Sequence, residues 1–528
     1  MFSLKKSVVK RGEIRPVFKI TPIQGIFDLP ELKDKTVLDV RYPLMEPYAY
    51  AHIYWDNENH ELVYELEEPS LNEDEQKVFS LIEKSIEELI NISFIAIKST
   101  EVVIEYLEKN IRVLLNEFRI KVSDESFDKM MYYVYRNFVG LNEIEPVMRD
   151  YYIEDIECNG VGFSVYVVHR KYRNLRTNIT FNEINKLTGF VEKLAQKCGK
   201  YISYATPLLD GSLPDGSRVN ATYTQDITSR GPSFTIRKFT SEPFSPTRMI
   251  QLRTVSPEIL AYLWLLIEYE SNILVIGGTG SGKTSFLNSM AFFIPPQARI
   301  VSIEDTREIA LVHENWLPSV AREGIGISSF GGEKHGEISL FQLLRESFRQ
   351  RPDYVIVGEI RGQEAFVLFQ GMNSGHPSFG TMHAENVETL IRRLETKPIE
   401  LSPSLVEGLD AVVIMTQLKT ADKSVRKVKS VVEIIKVQQK VGSAITNAPF
   451  VWDPRTDRFF FSRNSKIFDK LVTIHGVPRQ KLALEFRRRT ELLMKMYWVG
   501  IINYREVQDI ITTYYKIPDR VLKKFNIR

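Results

Sequence analysis

Residues Asn272–Met290 read NILVIGGTGSGKTSFLNSM, and this stretch indicates the fold class of the protein. The first residues are apolar and typical of a β-strand, four glycines follow, and the remainder resumes as a helix-like pattern. Glycine adopts backbone angles that are closed to other residues, so the peptide N–H groups of this junction can turn inward around an anion. The stretch therefore predicts a strand, an anion-sized turn and a helix.

The glycines have the spacing of a P-loop, since four residues separate Gly277 from Gly282-Lys283-Thr284. In such a loop the amides and the helix N-terminus hold the α- and β-phosphates, Lys283 reaches the β- and γ-phosphates, and the Thr284 hydroxyl binds Mg²⁺. A glycine-rich turn that binds nothing is the alternative, and the flanking strand and helix argue against it. ATP and Mg²⁺ are thus the predicted cofactors. The predicted nucleotide-binding residues are Gly277, Gly278, Thr279, Gly280, Ser281, Gly282, Lys283, Thr284 and Ser285.

Composition narrows the class of protein. The 528 residues leave room for about three domains, and the formal net charge of +2 lacks the basic footprint of a dedicated nucleic-acid binder. Two cysteines, Cys158 and Cys198, can build neither a disulfide framework nor a four-cysteine zinc site within one chain, so a reducing cytoplasm is the expected setting. No apolar run reaches the ~20 residues that cross a bilayer. The nearest run, Ile259–Tyr269, is interrupted by Glu268.

Periodicity predicts the secondary structure on both sides of the P-loop. The β-prone runs YAYAHIYW and ELVYEL flank the polar turn DNENH and predict a hairpin. Apolar residues at helical spacing predict helices over Val78–Ile90 and Val102–Phe118, and a closing helical segment over Gln480–Phe525. Strands that alternate with helices predict an α/β fold with a mainly parallel sheet and helices on both faces. These strands are Asn272–Ile276, Ala298–Ile303, Tyr354–Val357 and Phe379–Met382.

Turn signals and changes of pattern divide the chain into five predicted segments. The stretch TSEPFSPTRM brings several turn-forming residues together and is interpreted as a linker. The segments are residues 1–120, a mixed α/β domain; 121–239, a second N-terminal domain; 240–249, the linker; 250–421, the nucleotide-binding core; and 422–528, a strand-rich piece followed by helices.

Acidic residues follow two of the predicted strands, where ligands of open α/β sheets usually bind. SIEDTREI places Glu304, Asp305 and Glu308 at one strand exit, and VIVGEIRG places Glu359 at another, with Arg361 beyond it. Attack of water on a γ-phosphate needs a group that orients the water, together with Mg²⁺ and positive charge. We expect the strand with Glu304 to lie between the P-loop strand and the strand before Glu359. Solvated surface carboxylates are the alternative for either acidic group alone.

Two histidines, His376 and His383, bracket the fourth predicted strand, in a chain with eight histidines in total. Their position beside the P-loop strand predicts a γ-phosphate sensor. A purely structural role and metal ligation are the alternatives, and no cysteine or further histidine lies close in sequence to complete a metal site.

At this point a resemblance to a known family becomes specific. The chain resembles the type II/type IV secretion ATPase superfamily over about residues 141–418, and for the first 120 residues no resembling family is named. The resemblance implies N-terminal α+β domains, the second of secretion-ATPase type, followed by a RecA-like P-loop core and a hexameric ring. Phe486–Tyr515 is similar to archaeal members, including archaellum motor ATPases and archaeal pilus or secretion ATPases. The motifs are the Walker A motif GGTGSGKT, the aspartate box SIEDTREI, the Walker B motif LLRESFRQRPDYVIVGEIRG and the histidine box GHPSFGTMHA, with IEPVMRDYYIEDIECNG and LPDGSRVNATY upstream.

Carried over residue by residue, the resemblance implies that Glu304 polarises the attacking water and that Glu359 helps to hold the Mg²⁺ shell. It further implies that Arg218 and Arg237 reach a nucleotide at the subunit boundary, although surface salt bridges are the alternative for both. The Walker B run ends in Gly-Glu rather than Asp-Glu, which leaves the division of labour between the two glutamates open. The implied catalytic residues are Glu304, Glu359, Lys283, Arg218, Arg237 and His383, with Thr284 and Glu359 as Mg²⁺ ligands, partly through water.

The resemblance implies an ATP-hydrolysing cytoplasmic motor, peripherally associated with the inner face of the cell membrane. It would act as a homohexamer on a polytopic membrane platform protein, driving assembly or rotation of a pilus-like filament of an archaellum, pilus or type II secretion system. The basic residues 1–15, or Arg487, Arg488 and Arg489, are predicted to dock there or on anionic lipid. A DNA-translocating conjugation ATPase and a non-hydrolysing scaffold are the alternatives. No nucleic acid is expected, because the net charge is near zero.

Overall fold

The computed structural model describes residues 18–21, 27, 29–32, 34–90, 100–239, 242–322, 324, 336–419, 424–438 and 441–528. The chain divides into two compact units, Met1–Phe239 and Thr240–Arg528. The boundary falls at the start of the predicted linker.

The first unit contains one nine-stranded sheet in the order β1-β2-β3-β6-β5-β4-β9-β8-β7. The predicted hairpin is confirmed, since β2 and β3 pair antiparallel on either side of the polar turn. The strands are β1 Asp39–Met45, β2 Ala49–Asp56, β3 Glu61–Glu67, β4 Ile153–Cys158, β5 Ser164–His169, β6 Arg173–Thr180, β7 Leu208–Ser212, β8 Arg218–Thr222 and β9 Ser233–Arg237. The helices are α1 Glu73–Ile90, α2 Thr100–Glu117, α3 Asp124–Val134, α4 Glu145–Arg149 and α5 Ile184–Lys197, so both helices predicted here are confirmed.

The structure joins the two segments that sequence patterns separate at residue 120. Strands β3 and β6 pair in parallel and make one sheet of both segments. The buried Asp150 carboxylate accepts hydrogen bonds from the Tyr42 hydroxyl at 2.7 Å and from the Tyr64 hydroxyl at 2.9 Å. A buried carboxylate needs such partners, because burial disfavours its charged form. The described parts of residues 1–120 and 121–239 therefore share one sheet and one apolar core.

The second unit contains another nine-stranded sheet, in the order β12-β11-β13-β14-β10-β15-β16-β17-β18. Strands β10 to β15 pair in parallel and the last three are antiparallel. The strands are β10 Ile273–Gly277, β11 Ile300–Glu304, β12 Trp316–Val320, β13 Tyr354–Val357, β14 Ser378–Met382, β15 Ala411–Lys419, β16 Ser424–Val437, β17 Ala444–Asp453 and β18 Arg458–Phe461. The helices are α6 Pro246–Gln251, α7 Pro257–Glu268, α8 Lys283–Ala291, α9 Leu340–Ser347, α10 Glu364–Asn373, α11 Val387–Glu395, α12 Pro403–Val406, α13 Lys466–Thr473, α14 Arg479–Trp498, α15 Tyr504–Lys516 and α16 Pro518–Lys524.

Strands β10, β11, β13 and β14 are short and buried on both faces, which explains their largely apolar sequences. Along β10, Ile273 and Val275 belong to one apolar cluster, whereas Leu274 and Ile276 belong to a cluster on the opposite face. Successive side chains of a strand point to opposite faces, so each cluster packs its own layer of helices. The predicted α/β fold with a mainly parallel, doubly covered sheet is confirmed.

Residues 422–528 complete this second unit. Strands β16 to β18 extend the sheet directly from β15. The closing helices cover one sheet face, where Trp264 of α7 stacks on Phe293 and meets Tyr514 of α15 edge to face. The predicted boundary near residue 421 therefore falls inside a continuous sheet and its core.

The strand order corrects one expectation about the site. The strand that ends at Glu304 does not lie between the P-loop strand and the strand before Glu359. The inserted strand is β14, which pairs with both β10 and β13, and β11 lies beyond β13. The Thr381 hydroxyl of β14 donates a 2.6 Å hydrogen bond to the Gly358 carbonyl and fixes this neighbour. Glu304 is therefore three strand positions from β10, about 14 Å across the sheet.

Candidate functional site

The glycine-rich loop connects β10 to α8 in a conformation that glycine makes accessible. Gly280 has φ of +71° and Gly282, the N-cap of α8, has φ of +86°. Side chains with a Cβ rarely adopt these angles. The Ser281 hydroxyl donates a 2.8 Å hydrogen bond to the Gly278 carbonyl across the turn. The observed strand, turn and helix are those that the sequence predicts, and the loop is shaped to accept an anion at the start of a helix.

Lys283, at the first position of α8, points into a small polar cluster. Its ammonium donates to the Gly278 carbonyl at 3.0 Å and lies 3.3 Å from His383 Nδ1. His383 Nε2 in turn lies 3.0 Å from Glu359 Oε1. Burial lowers the pKa of Lys283, partly offset by the charge of Glu359. The loop, the end of β14 and the segment after β13 thus meet at one edge of the sheet.

The contacts of His383 determine its protonation. An ammonium group can only donate, so Nδ1 facing Lys283 acts as the acceptor and the ring proton lies on Nε2, toward Glu359. Burial and the positive charge of Lys283 both lower the pKa of His383. The neutral ring therefore lies between the Lys283 cation and the Glu359 carboxylate, and within the described residues Glu359 Oε1 accepts no hydrogen bond.

Arg361 is a further member of the cluster that motif reasoning noted only in passing. Its Nη2 donates to Glu359 Oε2 at 2.5 Å, and its Nη1 lies 3.8 Å from Asp305. Burial opposes ionisation of Glu359, but the hydrogen bond and charge of Arg361 outweigh it and lower the pKa. In the sequence, the signal that could have identified Arg361 as a site residue is its position two residues after Glu359.

Glu304 occupies a different environment. The residue is 1% exposed, and its Oε1 accepts 2.7 Å hydrogen bonds from the backbone N–H groups of Glu308 and Ile309. Among the described residues, its buried Oε2 has no hydrogen-bond partner. Burial raises the pKa of Glu304 to about 7, although the two amides act in the opposite direction. The carboxyl group is thus held in place with one oxygen left to accept a further donor.

The Gly-Glu ending of the Walker B run has a steric explanation here. A Cβ on Gly358 would lie 3.0 Å from Glu304 Cγ and 3.4 Å from its Oε1. An aspartate in place of Gly358 would therefore compete with Glu304 for space.

The two histidines lie at opposite ends of β14, so they do not form one sensor. His376 precedes the strand and packs edge to face on Phe348, with ring centroids 5.0 Å apart, whereas His383 follows the strand. The intervening strand separates them by roughly 20 Å. Within the described ranges, no three histidine, cysteine or acidic side chains gather in a group that could hold a metal ion. Only His383 reaches the loop.

Arg218 and Arg237, the arginines predicted to reach a nucleotide at the subunit boundary, lie on adjacent strands of the first unit. Arg218 of β8 and Arg237 of β9 are cross-strand partners, so their side chains share one sheet face. Arg218 pairs with Asp210 at 2.8 Å and Arg237 with Asp155 at 3.1 Å. The Arg237 side chain remains 69% exposed. The two arginines form a paired, solvent-facing set.

The predicted docking arginines of α14 differ in exposure. Arg489 is 3% exposed and pairs with Glu268 of α7. Arg488 is half-buried against Glu485, and only Arg487 is exposed. Arg489 is therefore an interior ion-pair residue and is corrected as a docking candidate. The other candidate, residues 1–15, lies outside the described residues.

Sequence reasoning missed one contact to the loop. Arg426 of β16 donates from Nε to the Gly280 carbonyl at 2.9 Å, and Gln417 of β15 lies beside the same loop. No motif marks either residue, because their approach depends on the pairing of β15 with β16.

Known proteins match this chain along most of its length. The family model for type II/IV secretion system proteins matches residues 159–451. An uncharacterized protein of Methanocaldococcus jannaschii, MJ0900, is 36% identical over 92% of this chain and 90% of its own length. The conjugal transfer protein TrbB of Rhizobium radiobacter is 30% identical over 43% of this chain and 68% of its own.

Among solved structures, the pilus retraction motor PilT with bound ADP is similar at 18% identity. The match covers 68% of this chain and 92% of that chain, with a TM-score of 0.38. The family match spans more than half of the 528 residues and includes the glycine-rich loop, the two glutamate segments and His383. The chain belongs to the type II/IV secretion system protein family.

Proposed function

We propose that this chain is an ATP-hydrolysing motor of the type II/IV secretion family. The observation that carries the proposal is the Lys283–His383–Glu359 cluster beside a glycine-rich loop with positive φ angles. A cation, a neutral imidazole and a carboxylate at this position match what a γ-phosphate and its metal require. The unpartnered Glu304 oxygen adds a buried acceptor at the same sheet edge.

The residues divide the proposed reaction among them. The loop amides and the N-terminus of α8 bind the phosphates, and Lys283 exchanges its contacts with Gly278 and His383 for the γ-phosphate. Mg²⁺, held by Thr284 and through water by Glu359, would supply positive charge for the transferred group. Glu304 orients the attacking water through its free oxygen. His383 senses the γ-phosphate, because moving Lys283 removes its partner on Nδ1.

The proposed active form is a homohexameric ring. Arg218 and Arg237 of one subunit would complete the nucleotide site of the neighbour, exchanging their carboxylate partners for phosphate. Exposed arginines on one sheet face suit this role, since the guanidinium group binds phosphate and carboxylate with the same fork of donors.

The proposed work is assembly or rotation of a pilus-like filament, of an archaellum, pilus or type II secretion system, through a polytopic membrane platform protein. The similarity of Phe486–Tyr515 to archaeal filament motors supports this choice. No helix in the described part of the chain is long and apolar enough to cross a membrane. We propose a cytoplasmic protein bound peripherally to the membrane, with residues 1–15 contacting anionic lipid. Deletion of these residues should reduce stimulation by anionic liposomes and leave basal hydrolysis unchanged.

A second candidate is a DNA-transfer ATPase. The match to the conjugal transfer protein TrbB favours it. The near-neutral charge balance argues against a long basic path for DNA.

The deciding experiment is an ATPase assay with and without single-stranded DNA, on the wild type and on Lys283→Ala. We expect Mg²⁺-dependent turnover that DNA does not stimulate and that Lys283→Ala abolishes, since Lys283 acts as a charge on the nucleotide. Lys436→Ala, an exposed lysine of β16, is the matched control and should behave as wild type. Turnover of Lys283→Ala within about threefold of wild type would contradict the assignment of the loop as the nucleotide site. Stimulation of turnover by DNA would favour the second candidate. Nucleotide binding without turnover in the wild type would indicate a non-hydrolysing scaffold.

A further inference from the structure

Two side chains from outside the nucleotide motifs lie against the glycine-rich loop. Gln417 of β15 and Arg426 of β16 are direct cross-strand partners, so both side chains lie on the same face of this antiparallel pair. A Cβ on Gly280 would lie 3.4 Å from Gln417 Oε1, and a Cβ on Gly282 would lie 3.1 Å from Arg426 Cδ. The side chains of Gln417 and Arg426 therefore pack against the glycine-rich loop.

Arg426 also makes a directed contact with the loop. Its Nε donates a 2.9 Å hydrogen bond to the Gly280 carbonyl. The carbonyl of one residue and the N–H of the next point in opposite directions across a planar trans peptide. A donor that holds the Gly280 oxygen outward therefore turns the Ser281 N–H inward. That N–H makes only a long, 3.4 Å hydrogen bond to the Gly278 carbonyl, which a phosphate oxygen can replace.

The backbone beneath Arg426 is firmly anchored. The next residue, Lys427, is buried and bonds Asp457 at 2.6 Å, and the Trp452 indole donates to the same carboxylate at 3.0 Å. Successive residues of a strand point to opposite faces, so Lys427 fixes the strand on one face while Arg426 meets the loop on the other. The contact is thus supported by a rigid element.

We propose that Arg426, seated beside Gln417, is a positioning residue that holds the phosphate-binding loop in its anion-accepting conformation. The inference rests on the nucleotide site proposed above and adds a residue to it. Gly280 and Gly282 give the loop its shape but also leave it free to adopt others. A ligand that binds one conformation loses apparent affinity in proportion to the fraction of molecules outside it. Arg426 raises the fraction that is ready to bind.

The first test measures dissociation constants for a fluorescent ATP analogue and steady-state kinetics on the full chain. We expect Arg426→Gln to raise the dissociation constant and KM about three- to tenfold, the range for losing one partly exposed, charge-assisted hydrogen bond. The kcat at saturating ATP should fall much less, because bound nucleotide itself orders the loop. Arg426→Lys keeps a charged donor and should recover most of the affinity. Lys429→Gln removes a charge from an exposed position of the same strand and should match wild type.

Hydrogen exchange of the loop amides, residues 278–282, in nucleotide-free protein gives a second readout. Loss of Arg426 should speed their exchange and leave β10 and α8 unchanged. Equal affinity and equal exchange in Arg426→Gln and wild type would overturn the positioning role, and so would a fall in kcat without a change in affinity. Wild-type protein that binds no nucleotide would instead overturn the proposed function. Lys283→Ala, assayed for binding in parallel, shows whether binding depends on the glycine-rich loop. It therefore distinguishes a failure of the proposed function from a failure of the positioning role of Arg426.

Discussion

Glu304 and Glu359 lie at the carboxyl ends of neighbouring strands of one sheet, yet their surroundings shift the pKa values of the two carboxyl groups in opposite directions. Glu359 lies beside Arg361 and Lys283, whose positive charges favour its ionised form. Glu304 is buried, its carboxyl group bonds two backbone amides, and burial raises its pKa to about 7. A carboxylate with cationic neighbours suits a metal shell, and a carboxyl group near neutrality suits proton exchange with water. The environments therefore support the roles that the sequence motifs imply.

Glutamine substitutions separate these roles. Glu304→Gln keeps the shape of the side chain and loses its charge, so the variant should bind ATP with Mg²⁺ and stall before hydrolysis. Glu359→Gln should instead raise the Mg²⁺ concentration that half-activates the enzyme, because one carboxylate has left the metal shell. Nucleotide-binding and Mg²⁺-titration assays check both. The reverse pattern would exchange the two assignments.

The raised pKa of Glu304 predicts a pH dependence. If the carboxylate orients the attacking water, only its ionised form is active, so kcat/KM should rise with pH about a midpoint near 7 and fall below it. The measurement uses excess Mg²⁺ to keep the nucleotide in one ionisation state. Glu314→Gln, a change at an exposed residue that does not contribute to the shift, should retain this dependence. A flat profile between about pH 6 and pH 8 would contradict the assignment.

At the scale of elements, α14 is fastened to α7 by a buried charge. Arg489 pairs with Glu268, and its guanidinium lies 4.9 Å from the centre of the Trp264 ring. Burial opposes the charge of Arg489, but Glu268 together with the Tyr515 and Tyr514 side chains outweighs it, and the pKa of Arg489 is raised. The closing helices therefore contribute to the core of the nucleotide-binding unit.

Truncating this side chain should destabilise the protein. Arg489→Ala removes the buried member of the pair with the half-buried Glu268 and opens space beside Trp264, so the free energy of unfolding should fall by about 1–3 kcal/mol. Arg487→Ala, two residues earlier and exposed, should change stability by less than about 0.5 kcal/mol. Denaturant unfolding of both variants provides the measurement. Equal stability in the two variants would contradict the interior role of Arg489.

At the scale of the whole molecule, we propose that activity belongs to an assembly. A site completed by Arg218 or Arg237 of a neighbour works only where subunits meet, so specific activity should rise with protein concentration. Arg218→Ala or Arg237→Ala should reduce turnover steeply, since arginines supplied in this way are worth about 10³ to 10⁵ in rate in P-loop enzymes. Arg119→Ala, at an exposed site in the same unit, is the control. Full-rate hydrolysis by a dilute monomer would exclude the ring.

Local patterns were enough to predict much of this protein. The glycine spacing, the apolar strands and the acidic residues at strand exits are properties of short segments, and periodicity reports the burial of each segment directly. The strand–loop–helix around Lys283, the parallel core and the edge where Glu304 and Glu359 lie were all predictable for this reason. The family resemblance followed from the same segments in order.

Contacts between segments that are distant in the sequence could be identified only from the tertiary structure. Which strand lies beside β10, which of His376 and His383 reaches the loop, and whether Arg489 is exposed all depend on pairing and packing across hundreds of residues. A sequence pattern records how buried a side chain is and leaves its partner open, because many partners would bury it equally well. The contact of Arg426 with Gly280 is of this kind, since 146 positions separate the two residues and only the pairing of β15 with β16 brings them together.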